Sequence, residues 1–343
     1  MLSTILGLLI SVSILIFIHE LGHFWAARWA GAKVSVFSIG FGKALIKWKD
    51  GKGTEWRIAW LPLGGFVRIY GQDDMFDRKK YNGLSPREKI GHYLSLSAWK
   101  QAIVIGAGVF MNLFLAWVIY AGLFMVPQAV QMPVIGGVEQ KTNQLKPGDR
   151  VMQVNGTKIN SWSDMQIARE LNAGYESRLV VLRGKKLIQI KMPSGKWGVK
   201  PDTAKTEIVK YGFLGALGKA TTELWTQSRL LFVVLGQMIA GDRSSKQLGG
   251  FISMADTIGK SLSAGVMATL SLLALLSVNL AVINLLPLPV LDGGFLAILL
   301  IEAITRRKMQ GKTMDWLLRI GWGLIIALMV FTFWNDIARL IAK

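Results

Sequence analysis

The chain has 343 residues, 52% of them hydrophobic, with a formal charge of +19 and no cysteine. So apolar a composition excludes an ordinary soluble domain and leaves room for several membrane spans plus one small domain, while the missing cysteines exclude disulfides and thiolate metal ligands. Nucleic acid is not expected despite the charge, because Lys and Arg are spread through every polar stretch with no helix-turn-helix, finger or aromatic RNA-binding pattern; an anionic membrane surface suits Lys43, Lys47, Lys49, Lys52, Arg57 and Arg68 better.

The first element is the apolar run from Leu2 to Ile18, which ends in His19-Glu20-Leu21-Gly22-His23. On a helix, histidines four apart share one face and can offer two imidazole nitrogens to one metal, with Glu20 close enough to act on water. Ionisable groups in a span cost roughly 2.5 to 3.5 kcal/mol each, so they mark function. No basic n-region precedes the run, which predicts an uncleaved span. Val34 to Tyr70 then reads as a β-hairpin at the membrane surface, turning at Gly51 and Gly53. Ser85-Pro86-Arg87-Glu88 has the form of a capping box and predicts a short helix over Ser85 to Trp99. His92, the third histidine, is expected on the surface without a role.

A second apolar segment, Ala102 to Val126, is followed by a polar region. There Pro147-Gly148-Asp149-Arg150-Val151 and Val154-Asn155-Gly156 predict a turn, a strand and a second turn. A helix near Ser163 to Asn172 and a strand at Arg178 to Arg183 complete an arrangement that resembles a PDZ domain. Tyr211 to Lys260 is expected to include amphipathic helix at the outer membrane surface.

The third apolar segment, Val266 to Leu286 continuing to Ile304, is interrupted by Asn284-Leu285-Leu286-Pro287-Leu288-Pro289-Val290-Leu291-Asp292-Gly293-Gly294. Two prolines break the helix, and irregular backbone at membrane depth is tolerated only where protein or a watery cavity surrounds it. Asp292 can therefore supply the third ligand of a two-histidine, one-carboxylate zinc site, or cap the resuming helix, or both. The last span is Trp316 to Phe333. Arg28 and Lys33 after the first span, and Arg306, Arg307, Lys308 and Lys312 before the fourth, place those loops in the cytoplasm, so both termini and the region from Pro127 to Gly265 face outward.

With both metal motifs in view, the chain resembles the site-2 protease family of intramembrane zinc metalloproteases, and within it the bacterial regulator-of-sigma-E branch. The likeness rests on the HELGH of His19 to His23, Phe41-Gly42, Pro62-Leu63-Gly64-Gly65, Pro147-Gly148-Asp149 and the Asn-x-x-Pro-x-x-x-Leu-Asp-Gly pattern from Asn284 to Gly293. Departures are a single PDZ-like domain where that branch often has two, and Ala107-Gly108-Val109 and Gly249-Gly250-Phe251 in place of patterns ending in proline. The expected fold is an α-helical polytopic membrane protein of about four transmembrane helices, with a membrane-associated β-hairpin region and one extracytoplasmic PDZ-like α+β domain. Its expected parts are residues 1–30, the first helix with HExxH; 31–75, a membrane-associated β-rich loop; 76–98, a cytoplasmic amphipathic segment; and 99–126, the second helix. Then come 127–200, PDZ-like; 201–265, a membrane-proximal extracytoplasmic segment; 266–304, the broken third span; 305–315, a cytoplasmic loop; and 316–343, the fourth helix and tail.

The expected chemistry is peptide hydrolysis with Zn2+ on His19, His23 and Asp292, Glu20 as general base and acid, and Asn284 and Asn112 holding an unwound substrate along an edge in the Val34 to Tyr70 loop. The resemblance implies a bacterial inner-membrane enzyme with its active site towards the cytoplasm. It also implies single-span substrates trimmed first by an upstream protease, such as anti-sigma factors in an envelope stress response, and remnant signal peptides. The PDZ-like domain would then exclude bulky ectodomains or bind a freed C-terminus. A metal or ion transporter is the main alternative, but transport has no special need for Glu20 between the histidines. A silent PDZ scaffold is another, and the intact metal set counts against it.

Overall fold

The computed structural model describes residues 2–75, 78–139, 144–195, 197–245, 248–309 and 311–341. Two compact units divide it, one of Met1–Ile119 with Leu248–Lys343, the other of Tyr120–Gln247.

The first unit opens with α1 (Leu2–Ala30), apolar on every side and long enough to cross a bilayer. It is followed by β1 (Val34–Lys49) and β2 (Glu55–Ile69), an antiparallel pair that is more folded than a simple hairpin. Shifts in register let Val36, Phe37, Ser38 and Ile39 pair with Glu55, Trp56, Arg57 and Ile58 on one side and with Arg68, Val67, Phe66 and Gly65 on the other, while Ala44 to Lys49 pair with Ala59 to Glu55. Four short segments result, and residues 65–69 form one edge. Phe37, fully buried, stacks on Trp56 at 4.5 Å and meets Phe24 of α1 edge-on, which fixes the sheet against the helix.

Two sequence expectations fail in the next stretch. Ser85 and Glu88 make their capping contacts, with Glu88 Oε2 accepting from Ser85 N at 2.8 Å and Oγ at 2.6 Å. No helix grows from them: Gly91 turns the chain at φ +76°, and among the described residues between β2 and α3 (Ala98–Met125) the helical pieces are α2 (Arg78–Asn82) and one-turn helices at Asp73–Met75 and Tyr93–Ser95. His92 is not on the surface but fully buried, its Nε2 3.0 Å from Asp74 Oδ2 and its Nδ1 accepting from Leu94 N at 3.1 Å. A proton on Nε2, donated to Asp74, leaves Nδ1 to accept from Leu94 N and satisfies both contacts.

The second unit contains β3 (Gln128–Gln131), β4 (Ile135–Val138), β5 (Arg150–Val154), β6 (Thr157–Lys158), α4 (Trp162–Leu171), β7 (Ser177–Arg183), β8 (Lys186–Met192), β9 (Val199–Pro201), β10 (Thr206–Val209) and α5 (Phe213–Ala240). A four-stranded antiparallel sheet runs β6-β5-β7-β8, with β3 paired to β10 and β4 to β9. Asn155 and Gly156, both at positive φ, make the two-residue turn between β5 and β6. Ser161 and Asp164 form the capping box that starts α4. Val151, Leu179, Val181 and Ile135 are fully buried in the core, each stabilising by about 1.5–3 kcal/mol relative to exposure. The sequence boundary at residue 200 cuts through this unit, because β10 pairs with β3 and α5 packs on α4. The expected single segment 201–265 is likewise divided: residues 201–247, with β10 and α5, belong to the second unit, and residues 248–265 to the first.

The first unit resumes with α6 (Phe251–Ala264), packed on α1 and followed by α7 (Val266–Asn284), α8 (Asp292–Thr305) and α9 (Gly311–Ile341). Asp336 of α9 caps α6 from outside, accepting from Gly250 N at 3.0 Å and Ile252 N at 2.9 Å. Helices α1, α3, α7 and α9 are each long and apolar enough to cross a membrane. Between α7 and α8 the proline-bearing loop closes its own backbone bonds, Leu288 N to Leu286 O at 2.7 Å and Leu291 N to Leu288 O at 2.9 Å, so the break leaves these donors paired.

Candidate metal centre

Four elements of the first unit supply the site: the second half of α1, the edge of β2, the stretch of α3 from Val104 to Asn112 and the start of α8. The spacing of four puts His19 and His23 on one face of α1, with rings 4.7 Å apart and nearly perpendicular. Their Nε2 atoms lie 3.1 Å from each other, and Asp292 Oδ2 lies 3.1 Å from that of His19 and 3.5 Å from that of His23. Asp292 is the first residue of α8, but the cap position is Leu291 and no side chain caps this end. The break in the span therefore delivers Asp292 to the histidines.

Three features show that this donor set fits a metal. Asp292 Oδ2 is buried and accepts no well-formed hydrogen bond despite its two close neighbours, an orphaned oxygen that a cation between the three atoms satisfies. His23 Nδ1 lies 2.8 Å from the Val104 carbonyl, which only accepts, so Nδ1 carries the proton and Nε2 keeps its lone pair. Asn112, fully buried on α3, places its amide 3.2 Å from His19 Nδ1 while its Oδ1 lacks a partner. With that amide turned so that Oδ1 accepts from Nδ1–H, both groups are satisfied and His19 Nε2 is also free to ligate. Gly108 provides the floor: a Cβ there would stand 2.4 Å from His23 Nε2 and 2.7 Å from His19 Nε2.

A cavity of about 300 Å³ opens beside the donors, lined by His19, Glu20, His23, Phe66, Val67, Gln72, Ile105, Asn284, Val290, Leu291, Asp292 and Phe295. Glu20 Oε2 accepts from the backbone N–H of Val67 at 3.0 Å, which ties the carboxylate to the β2 edge. Asn284 lines this cavity, whereas Asn112 lies behind His19 and does not. The sequence did not single out Val67, Val104 or Gln72. The first two act through backbone atoms, which no residue type advertises. Gly108 was visible only as part of the Ala-Gly pair that opens the second span.

The geometry defines a two-histidine, one-carboxylate centre with an adjacent acid, set among helices able to cross a membrane. A model of Peptidase family M50 matches residues 7–328. A Rickettsia conorii protein named "Putative zinc metalloprotease" is 36% identical, over 98% of this chain and 99% of its own length. One of the same description from Campylobacter jejuni is 34% identical over 98% and 94%, and "Metalloprotease MmpA" of Caulobacter vibrioides is 28% identical over 98% and 95%. The chain belongs to peptidase family M50, the site-2 protease family, and is a zinc metalloprotease.

Proposed function

We propose that this chain hydrolyses peptide bonds within the membrane-spanning segments of single-span proteins, with His19, His23 and Asp292 as zinc ligands and Glu20 as the proton carrier. The observation that carries it is the orphaned Asp292 oxygen beside two imidazole nitrogens, in one cavity with Glu20. Zinc supplies Lewis acidity there, which makes water nucleophilic near neutral pH and polarises a carbonyl. Glu20, held at Oε2 by Val67, takes the water's proton and returns it to the departing amine. Phe66 and Val67 offer a strand edge on which a locally unwound substrate is laid by main-chain pairing, and Asn284 faces the same cavity. Asn112 orients His19.

We place the enzyme in a bacterial inner membrane, with its site towards the cytoplasm and the Tyr120–Gln247 unit outside. That unit we read as PDZ-like, on its four-stranded sheet and the capped helix α4. Anti-sigma factors, or remnant signal peptides, trimmed beforehand by another protease are the substrate class this arrangement serves. The test is Glu20→Gln in purified full-length protein. The variant should bind one zinc like the parent but cleave a single-span reporter about 10²- to 10⁴-fold more slowly. Full cleavage by that variant would end the assignment.

A further inference from the structure

We infer that Arg28 and Asp50 form a positioning clamp, which sets where the substrate-bearing strand edge stands relative to Glu20 and the metal ligands. This rests on the proposed protease activity and adds to it a determinant of where the substrate is cut.

Arg28 lies in the last turn of α1, eight residues beyond Glu20, with its guanidinium over the Phe24 ring at 4.3 Å. Its Nη2 bonds both the Asp50 carboxylate and Thr54 Oγ1, the latter at 2.8 Å, and Thr54 Oγ1 donates onward to Val34 O at 2.7 Å. Asp50 also collects Lys52 N at 2.9 Å, Thr54 N at 3.1 Å and Trp56 Nε1 at 3.1 Å. One guanidinium thus gathers the turn between the strands and the start of β1. An exposed ion pair would contribute little, but these side chains retain only 21% and 23% of their exposure and belong to a continuous bonded network.

The network reaches the site through the sheet. Phe37 pairs with Trp56 on one side and with Val67 on the other, and Val67 N–H holds Glu20. At the far end of the sheet, Ser13 Oγ donates to Pro62 O at 2.6 Å. Helix α1 therefore grips the sheet at Ser13, Glu20 and Arg28, positions seven and eight apart and so on one face. The middle grip is the proton carrier itself. If the Arg28 grip is released, the edge is free to shift against Glu20, and a substrate paired to it presents a different carbonyl for every step of about 3.3 Å along the strand.

The experiment compares zinc-loaded full-length wild type with Arg28→Ala, Arg28→Lys and Asp50→Asn. It reads zinc content, kcat, KM and product masses on a single-span reporter, together with hydrogen exchange at the Val67 amide without substrate. Arg28→Ala should keep its zinc and near-normal KM, lose about tenfold to a hundredfold in kcat, spread its cuts over neighbouring bonds and exchange Val67 at least about tenfold faster. Arg28→Lys should recover much of this, and Asp50→Asn should fall between. A support needed only for folding would lower the yield of active protein while leaving the cut position and Val67 protection alone. Wild-type Val67 protection in Arg28→Ala, or a single cut at the parental bond with parental kcat per zinc, would overturn the clamp. Failure of wild type to cut the reporter would count against the proteolytic function, and the Val67 measurement would still decide the clamp.

Discussion

Two aspartates with buried carboxylate oxygens, one in each unit, have opposite surroundings. Asp149 in the second unit has a fully buried side chain with both oxygens engaged: Arg183 donates Nε to Oδ1 at 2.7 Å and Nη2 to Oδ2 at 2.8 Å, and Lys146 N donates to Oδ2 at 2.8 Å. Burial alone would raise its pKa, but these donors hold the carboxyl below its ordinary value. Asp292 in the first unit is part-exposed at 19% of its side chain, but its Oδ2 is buried and faces two imidazole nitrogens whose proton-bearing sides are turned away. A saturated carboxylate closes a turn, while one left open to convergent lone pairs marks a place for a cation. Both are carboxylates with a buried oxygen, and the partner atoms separate them.

The largest effects should follow from removing each carboxylate. Asp292→Ala should lose stoichiometric zinc and drop cleavage to background, while circular dichroism and melting of the second unit stay unchanged. Asp149→Ala should keep zinc but cost the second unit about 1–3 kcal/mol, because Arg183 and the Lys146 amide lose their buried acceptor. Zinc analysis and denaturant titration distinguish the two, and a zinc-replete Asp292→Ala protein would erase the contrast.

A smaller and sharper test is Gly108→Ala. One added methyl changes no charge and removes no ligand, but it stands where the two Nε2 atoms converge. Zinc affinity should fall by about 10- to 100-fold, read by competition with a chelator, with the helical content of α3 preserved. Parental affinity would mean that the floor of the site gives way more easily than the backbone spacing allows.

Legibility in the sequence follows the same division between side chains and backbone. The histidine pair and Glu20 were readable because one helix carries all three, so spacing alone sets their geometry. Asp292 was readable because two prolines announce the break that delivers it. Val67 and Val104 contribute an N–H and a carbonyl, and the doubled pairing of β1 arises from register shifts that alternation does not reveal. The helix expected from Ser85 shows a local signal overridden: its cap bonds form, but the turn at Gly91 and the burial of His92 take the chain elsewhere. The boundary at residue 200 misses β10, since the pairing of Thr206 with Gln131 is a contact between distant parts of the chain.

The smallest predicted effect concerns Asp50, which resembles Asp149 in its saturation but sits in a turn of the first unit. Burial would raise its pKa, yet bonds from Trp56, Arg28 and the Lys52 and Thr54 amides bring it down from 3.8 to about 2. A carboxyl whose folded pKa is depressed contributes stability that is complete above the unfolded value and lost as pH falls through the folded one. Turn stability should therefore be constant from neutral pH to about 4 and decline towards about 2. Hydrogen exchange at the Lys52 and Thr54 amides, with intrinsic rates divided out, reads this directly. Asp50→Asn should lack that limb, with a deficit that is constant above about 4 and closes as the parent is protonated. Protection that stays flat in wild type down to pH of about 2 would show that the turn is held by its backbone alone, and the likeness between Asp50 and Asp149 would then be one of contacts without energetic weight.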